Sequence, residues 1–135
     1  MKFLRNYPVT LLLVVIICYL SLFTPPKIDI PMPHAADKWA HIMMYGSLVF
    51  AAFVETVKMR RRMPRRFACF LIYLGPVALS GVLELLQAYC TVTRSGDWLD
   101  FAANAVGGIV GMLAGYVVSL ALMKYGSSAN ARHRR

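Results

Sequence analysis

Nine polar side chains stand out in an otherwise apolar sequence: Asp37, His41, Tyr45, Glu84, Gln87, Arg94, Asp97, Asp100 and Asn104. Their types suit proton transfer and the binding of a charged head. Glu84 or Asp100 would act as general acid or base with His41 as proton partner. Arg94 would clamp a phosphate or carboxylate. Gln87 and Asn104 would supply neutral hydrogen bonds, and Asp37, Tyr45 and Asp97 would complete the binding wall. The spacing assigns no metal, since one histidine without a regularly spaced second ligand is thin evidence. No serine or cysteine has an obvious base beside it, and Cys90 near Glu84 is only a faint nucleophile candidate.

Helical spacing gathers these groups. Residues three or four apart share a helix face, which aligns Asp37, His41 and Tyr45, and likewise Ser80, Glu84 and Gln87. At about 100° per residue, Asp97, Asp100, Asn104, Gly108, Gly111 and Gly115 fall within an arc of about 80°. Gly107, Gly111 and Gly115 follow the small-xxx-small pattern that lets helices approach closely, within one chain or between two copies of it. The face that packs is therefore the face that carries the carboxylates, and His41, Glu84, Asp100 and Asn104 are expected to meet inside a bundle. Structural roles compete: Asp97 and Asp100 suit a helix N-terminus, and Asn104 suits helix-to-helix bonding. Glu84 has no basic neighbour within a turn, so it must be protonated, hydrogen-bonded, or paired with His41 or Arg94. Glu55, one turn from Lys58, reads as a surface ion pair.

The elements that must position these residues are membrane helices. The chain has 135 residues, 59% of them hydrophobic and 16% charged, whereas soluble domains run at about 45–50% apolar and about 25% charged. Such an apolar content also excludes disorder. Apolar spans cover 8–23, 39–57, 67–89 and 98–123, giving an all-α membrane protein of four transmembrane helices in one domain. The first span is long for a signal core and lacks a small-residue cleavage site, so it reads as a retained helix. Pro25, Pro26, Pro31 and Pro33 make 24–38 an extended loop, and Gly75-Pro76 is expected to kink the third helix. The three cysteines, Cys18, Cys69 and Cys90, form neither a disulfide framework nor a zinc pattern.

The net charge of +9 admits a nucleic-acid partner until the charges are sorted by segment. Lys2 and Arg5, six basic residues in 58–66, and Lys124, Arg132, Arg134 and Arg135 in the tail 124–135 leave only Lys27, Lys38 and Arg94 elsewhere. By the positive-inside rule both termini lie in the cytoplasm and the polar groups lie at the extracytoplasmic side. The basic loop has no interleaved aromatics, so it reads as a topology and lipid-headgroup signal, with no nucleic acid as partner.

The segments Asp37-Lys38-Trp39-Ala40-His41 with Tyr45, Glu84-Leu85-Leu86-Gln87, and Arg94 through Asp97, Asp100, Asn104 and Gly107 to Gly111 resemble the VanZ-like family across about residues 35–116. The first helix and the tail carry no such pattern. The resemblance implies a small polytopic protein of the bacterial cytoplasmic membrane, in a family named after a member associated with low-level teicoplanin resistance. It carries the motif onto Asp37, His41, Glu84, Gln87, Arg94, Asp100 and Asn104.

The expected function is binding or modification of a lipid-linked or amphiphilic cell-envelope molecule, with a link to glycopeptide resistance. Capture or scaffolding without chemistry is the alternative. Transport ranks last, because four helices make a small pore and no charged line crosses the membrane.

Overall fold

The computed structural model describes residues 5–23, 36–58, 65–90 and 97–132, the side chains of 65–67 and 122–132 excepted. Four helices, α1 (Pro8–Leu22), α2 (Ala36–Lys58), α3 (Arg65–Cys90) and α4 (Trp98–Arg132), account for nearly all of these residues, with no strand among them. The prolines between the first two spans, the basic loop from 59 to 64, and Arg94 lie outside the described residues.

Local features mark the starts of α1, α2 and α4. Pro8 opens α1, where its missing donor costs nothing. α2 starts at Ala36, one turn earlier than the apolar pattern from 39 suggests, because the last proline, Pro33, is already behind it and Asp37 complements the dipole of its first turn. Asp97 caps α4: its Oδ1 accepts the Leu99 N–H at 2.8 Å, and its carbonyl accepts the Asp100 N–H at 3.0 Å. Helix α3 continues through Pro76 without ending. Helix α4 runs on past 123 to Arg132, so the polar tail that follows Met123 is helical over most of its length.

Three segments, Ala36–Lys58, Ala68–Cys90 and Trp98–Ala121, are long and apolar enough to cross a membrane. Their 23 or 24 residues reach about 35 Å at about 1.5 Å per residue, more than the ~30 Å of a hydrocarbon core. Helix α1 is apolar but has 15 residues, about 22 Å by the same rise.

The helices alternate in direction. At one end Lys38 of α2 meets Asp97 before α4, and Gln87 of α3 meets the Ser21 carbonyl of α1. At the other end Tyr7 meets Thr56, and Glu55 accepts the Val9 N–H at 2.9 Å, the Thr10 N–H at 3.2 Å and the Thr10 hydroxyl at 2.7 Å. Glu55 is thus the N-terminal cap that α1 lacks in its own sequence. The surface pairing with Lys58 suggested by their spacing gives way to this, because a carboxylate facing three donors at a helix N-terminus gains more than one facing a solvated lysine.

Two kinds of packing hold the bundle. Ile17, Tyr45, Leu48 and Leu83 form a buried cluster that joins α1, α2 and α3. Helices α2 and α4 instead approach backbone to backbone. A Cβ on Gly107 would come within 2.9 Å of the Ile42 Cα, one on Gly111 within 2.9 Å of the Gly46 carbonyl carbon, and one on Gly115 within 2.8 Å of the Phe53 ring. The glycine face is filled by α2 of the same chain, so a second copy seated there would have to displace α2. Large apolar side chains such as Leu12, Val15, Met43, Leu113 and Val117 are exposed on the outside, as lipid-facing residues are. Trp39, Tyr89 and Trp98 project from the end that carries the polar groups, in the manner of an interfacial aromatic belt.

Candidate functional site

The close α2–α4 seam brings the polar residues of both helices together at one end of the bundle. They grade from rim to floor. Asp37 and Asp97 have exposed or half-exposed side chains, Lys38 and Asp100 lie deeper, and His41, Glu84, Asn104, Ser80 and Tyr45 are buried.

The floor is a hydrogen-bonded chain. His41 Nδ1 lies 3.0 Å from Asn104 Oδ1, and Asn104 Nδ2 donates to Ser80 Oγ at 2.7 Å. Ser80 lies beside the buried Tyr45 side chain. Because Asn104 uses its NH2 group on Ser80 and turns its oxygen to the ring, His41 Nδ1 is the donor in their bond, which in the neutral ring leaves the lone pair on Nε2. That Nε2 faces Asp100 Oδ2 at 3.6 Å and Asp37 Oδ1 at 4.0 Å. The ligand-bearing atoms of Asp37, His41 and Asp100 all lie within 4.8 Å of one another.

The rim is tied by Lys38. Its Nζ donates to Asp97 Oδ2 at 2.7 Å and also to Asp100 Oδ1. The two oxygens of Asp100 thus have different neighbours, Lys38 on one side and His41 on the other. The Lys38 ammonium, and next the Leu99 N–H, hold the Asp97 carboxyl below the usual carboxylate range.

Of the expected site residues, Asp37, His41, Asp97, Asp100 and Asn104 converge, Asp97 through Lys38, and Tyr45 is buried beside Ser80. Glu84 reaches the cluster by another route: its Oε2 accepts the backbone N–H of Asp97 at 3.0 Å. Among the described residues, hydrogen bonding to the α4 N-terminus is the option realised. Gln87 is buried, and its Nε2 donates to the Ser21 carbonyl of α1 at 2.7 Å. Arg94 lies outside the described residues.

Lys38 and Ser80 belong to this site although the motif reading gave neither a role in it. Lys38 precedes His41 by three positions, so the same spacing that aligns Asp37 with His41 places Lys38 on the adjoining strip of α2. Ser80 precedes Glu84 by four and is fully buried.

Along the same seam, directly below the cluster, lies an apolar groove of about 250 Å³ lined by Ile42, Met43, Gly46, Phe50, Val110 and Ala114, among others. The glycines that bring the helices together also leave this groove shallow and free of side chains at its centre. No family model, curated protein or solved structure matches this chain.

Proposed function

We propose that this protein is a VanZ-like, multi-pass protein of the bacterial cytoplasmic membrane that binds a lipid-linked or amphiphilic cell-envelope molecule. In this reading all four helices cross the membrane, both termini are cytoplasmic, and the polar cluster opens to the extracytoplasmic side. The loop from 58 to 66 and the tail carry the positive charge that favours this orientation.

One observation carries the reading: the polar cluster and the apolar groove are consecutive along a single α2–α4 seam. Lys38 and His41 sit up to about two turns above Ile42, Met43 and Gly46, and Asp100 and Asn104 stand in the same order above Val110 and Ala114. A ligand with a charged head and an acyl tail matches that order, the head at Lys38 and the tail along the groove. A lipoglycopeptide such as teicoplanin has the same two-part chemistry, which joins this reading to the resistance expected from the resemblance.

Modification of the bound head is supported by the chain Asp100, His41 and Asn104, which can accept and hold a proton beside it. Capture without reaction is favoured by a different observation. Glu84, expected as an acid or base, is engaged in holding the start of α4.

Photo-crosslinking tests the reading. A benzoylphenylalanine at Met43, which lines the groove, should trap an amphiphile in bacterial membranes in a manner that depends on Lys38 and His41. The same probe at Phe70, exposed on α3, should trap only bulk phospholipid. Equal lipid profiles from the two positions would sink the proposal.

A further inference from the structure

We infer that Asp37, His41 and Asp100 bind a divalent metal ion of the Mn2+ type at the mouth of the bundle. The inference rests on the proposed headgroup pocket for what the ion does there; its binding is a property of these three ligands.

Three acceptor atoms converge without a donor among them. His41 is 7% exposed, and its Nδ1 is engaged by Asn104, which leaves the Nε2 lone pair aimed at Asp100 Oδ2 and Asp37 Oδ1. Among the described residues none of these three atoms makes a hydrogen bond. Something positive belongs between them, either a proton on Nε2 or a metal ion. The separations favour the ion. At 3.6 and 4.0 Å they exceed the ~2.7–3.2 Å of an N–H to oxygen bond. Ligands on one ion at about 2.0–2.2 Å each stand between about 3 Å apart when adjacent and about 4.3 Å when opposite. Two separations lie in that window, and the ligand atoms of all three residues lie within 4.8 Å of one another.

The surroundings are those of a metal ligand set. A ligating histidine ordinarily donates its other N–H to a fixed acceptor, and here Asn104, itself held by Ser80, is that acceptor. Asp100 is oriented by Lys38 through the oxygen that does not face His41. Lys38 therefore pairs with Asp97 and one side of Asp100, and leaves the charge of Asp37 and the other side of Asp100 for the ion. Two carboxylates and one imidazole suit Mn2+ better than the thiolate-seeking metals. Asp37 is 62% exposed, so the ion has an entry path and keeps coordination positions open. Oxygens of a phosphate or carboxylate head would fill those positions.

Purified full-length protein in detergent, titrated with Mn2+ and followed by electron paramagnetic resonance, tests the site. About one ion per chain is expected, with a nitrogen hyperfine coupling from His41. Asp37→Asn should weaken binding by at least about tenfold, and because Asp37 lies at the rim the variant should keep its thermal stability without metal. His41→Gln should abolish the nitrogen coupling. Glu55→Gln, which removes a carboxylate at the opposite end of the bundle, should change affinity by less than about threefold. No saturable binding, equal loss in Asp37→Asn and Glu55→Gln, or a bound ion without nitrogen coupling would each overturn the inference, the first leaving a proton on His41 Nε2. Mn2+ binding in a protein whose Met43 probe captures no amphiphile would keep the ion and sink the headgroup reading. Capture without Mn2+ binding would do the reverse.

Discussion

Glu84 Oε2, at the end of α3, accepts the backbone N–H of Asp97 at 3.0 Å. A single buried carboxylate thereby ties the last turns of α3 to the start of α4. The same Asp97 receives Lys38 from α2 through its side chain. Three helices are thus joined within two bonds of one residue, and rim and floor are fixed relative to each other.

Glu84→Gln keeps an acceptor for the Asp97 N–H but removes the charge, whereas Glu84→Leu removes both. The Gln variant should retain abundance and unfold near wild type. The Leu variant should lose about 1–3 kcal/mol, the cost of an unsatisfied buried donor, read by thermal unfolding in detergent. If the Gln variant also retains amphiphile capture and cellular phenotype, Glu84 acts as a structural acceptor and takes no part in proton transfer.

Periodicity made the meeting of His41 with Asp100 and Asn104 legible, because the glycine stripe of α4 could face only a neighbouring helix and the polar residues continue that stripe. Lys38 was hidden by its position after four prolines, where its charge balanced a loop. Glu55 was hidden for another reason. Lys58 is a plausible local partner, while the real donors, Val9 and Thr10, lie 46 and 45 residues away and depend on how α1 slides along α2. The bond from Gln87 to α1 was hidden for the same reason, since nothing local reveals that the Ser21 carbonyl will stand opposite it. Same-helix spacing is written in the sequence; register between helices comes from packing.

The Lys38–Asp97 pair predicts a definite pH response. The native Asp97 carboxyl titrates below its ordinary value of 3.8, so the native state binds its proton less readily than the unfolded chain. Its stabilising effect is fully present above that ordinary value and disappears as pH falls through the lower native one. Wild type and Asp97→Asn should therefore converge in stability at acid pH and differ most near neutrality, in denaturant titrations at fixed low salt. A constant difference from neutral to strongly acid pH would dissolve the link.

Glu55→Ala removes the acceptor for two N–H groups and one hydroxyl at the start of α1. A cap of this kind is worth about 1–2 kcal/mol. The first helix should fray, with faster hydrogen exchange at Val9 to Leu12, while the cluster around His41 is unaffected. Exchange that rises equally in all four helices would mean that Glu55 holds the whole bundle.

The orientation inferred from the charges is tested in a cysteine-free background. A cysteine at position 94 should react with an impermeant maleimide from outside intact cells, and one at position 63 only after permeabilisation. The opposite pattern would invert the protein and place the polar cluster in the cytoplasm.

Gly111 provides the sharpest test of how the site is assembled. Any Cβ there meets the backbone of Gly46, within 2.9 Å of its carbonyl carbon and 3.0 Å of its Cα, and backbone cannot rotate aside as a side chain can. Gly111→Leu must push α4 from α2 and should cost at least the ~1–3 kcal/mol of an overpacked core. Gly75, whose Cβ would meet nothing within 4 Å, provides the matched control: Gly75→Ala should be tolerated. Because His41 and Asn104 stand on the two helices being separated, Gly111→Leu should also weaken their bond, visible as a shifted His41 imidazole nitrogen resonance. A Gly111→Leu protein with normal stability and an unshifted His41 would mean that the two helices do not meet along this stripe, and the floor of the cluster would fall with it.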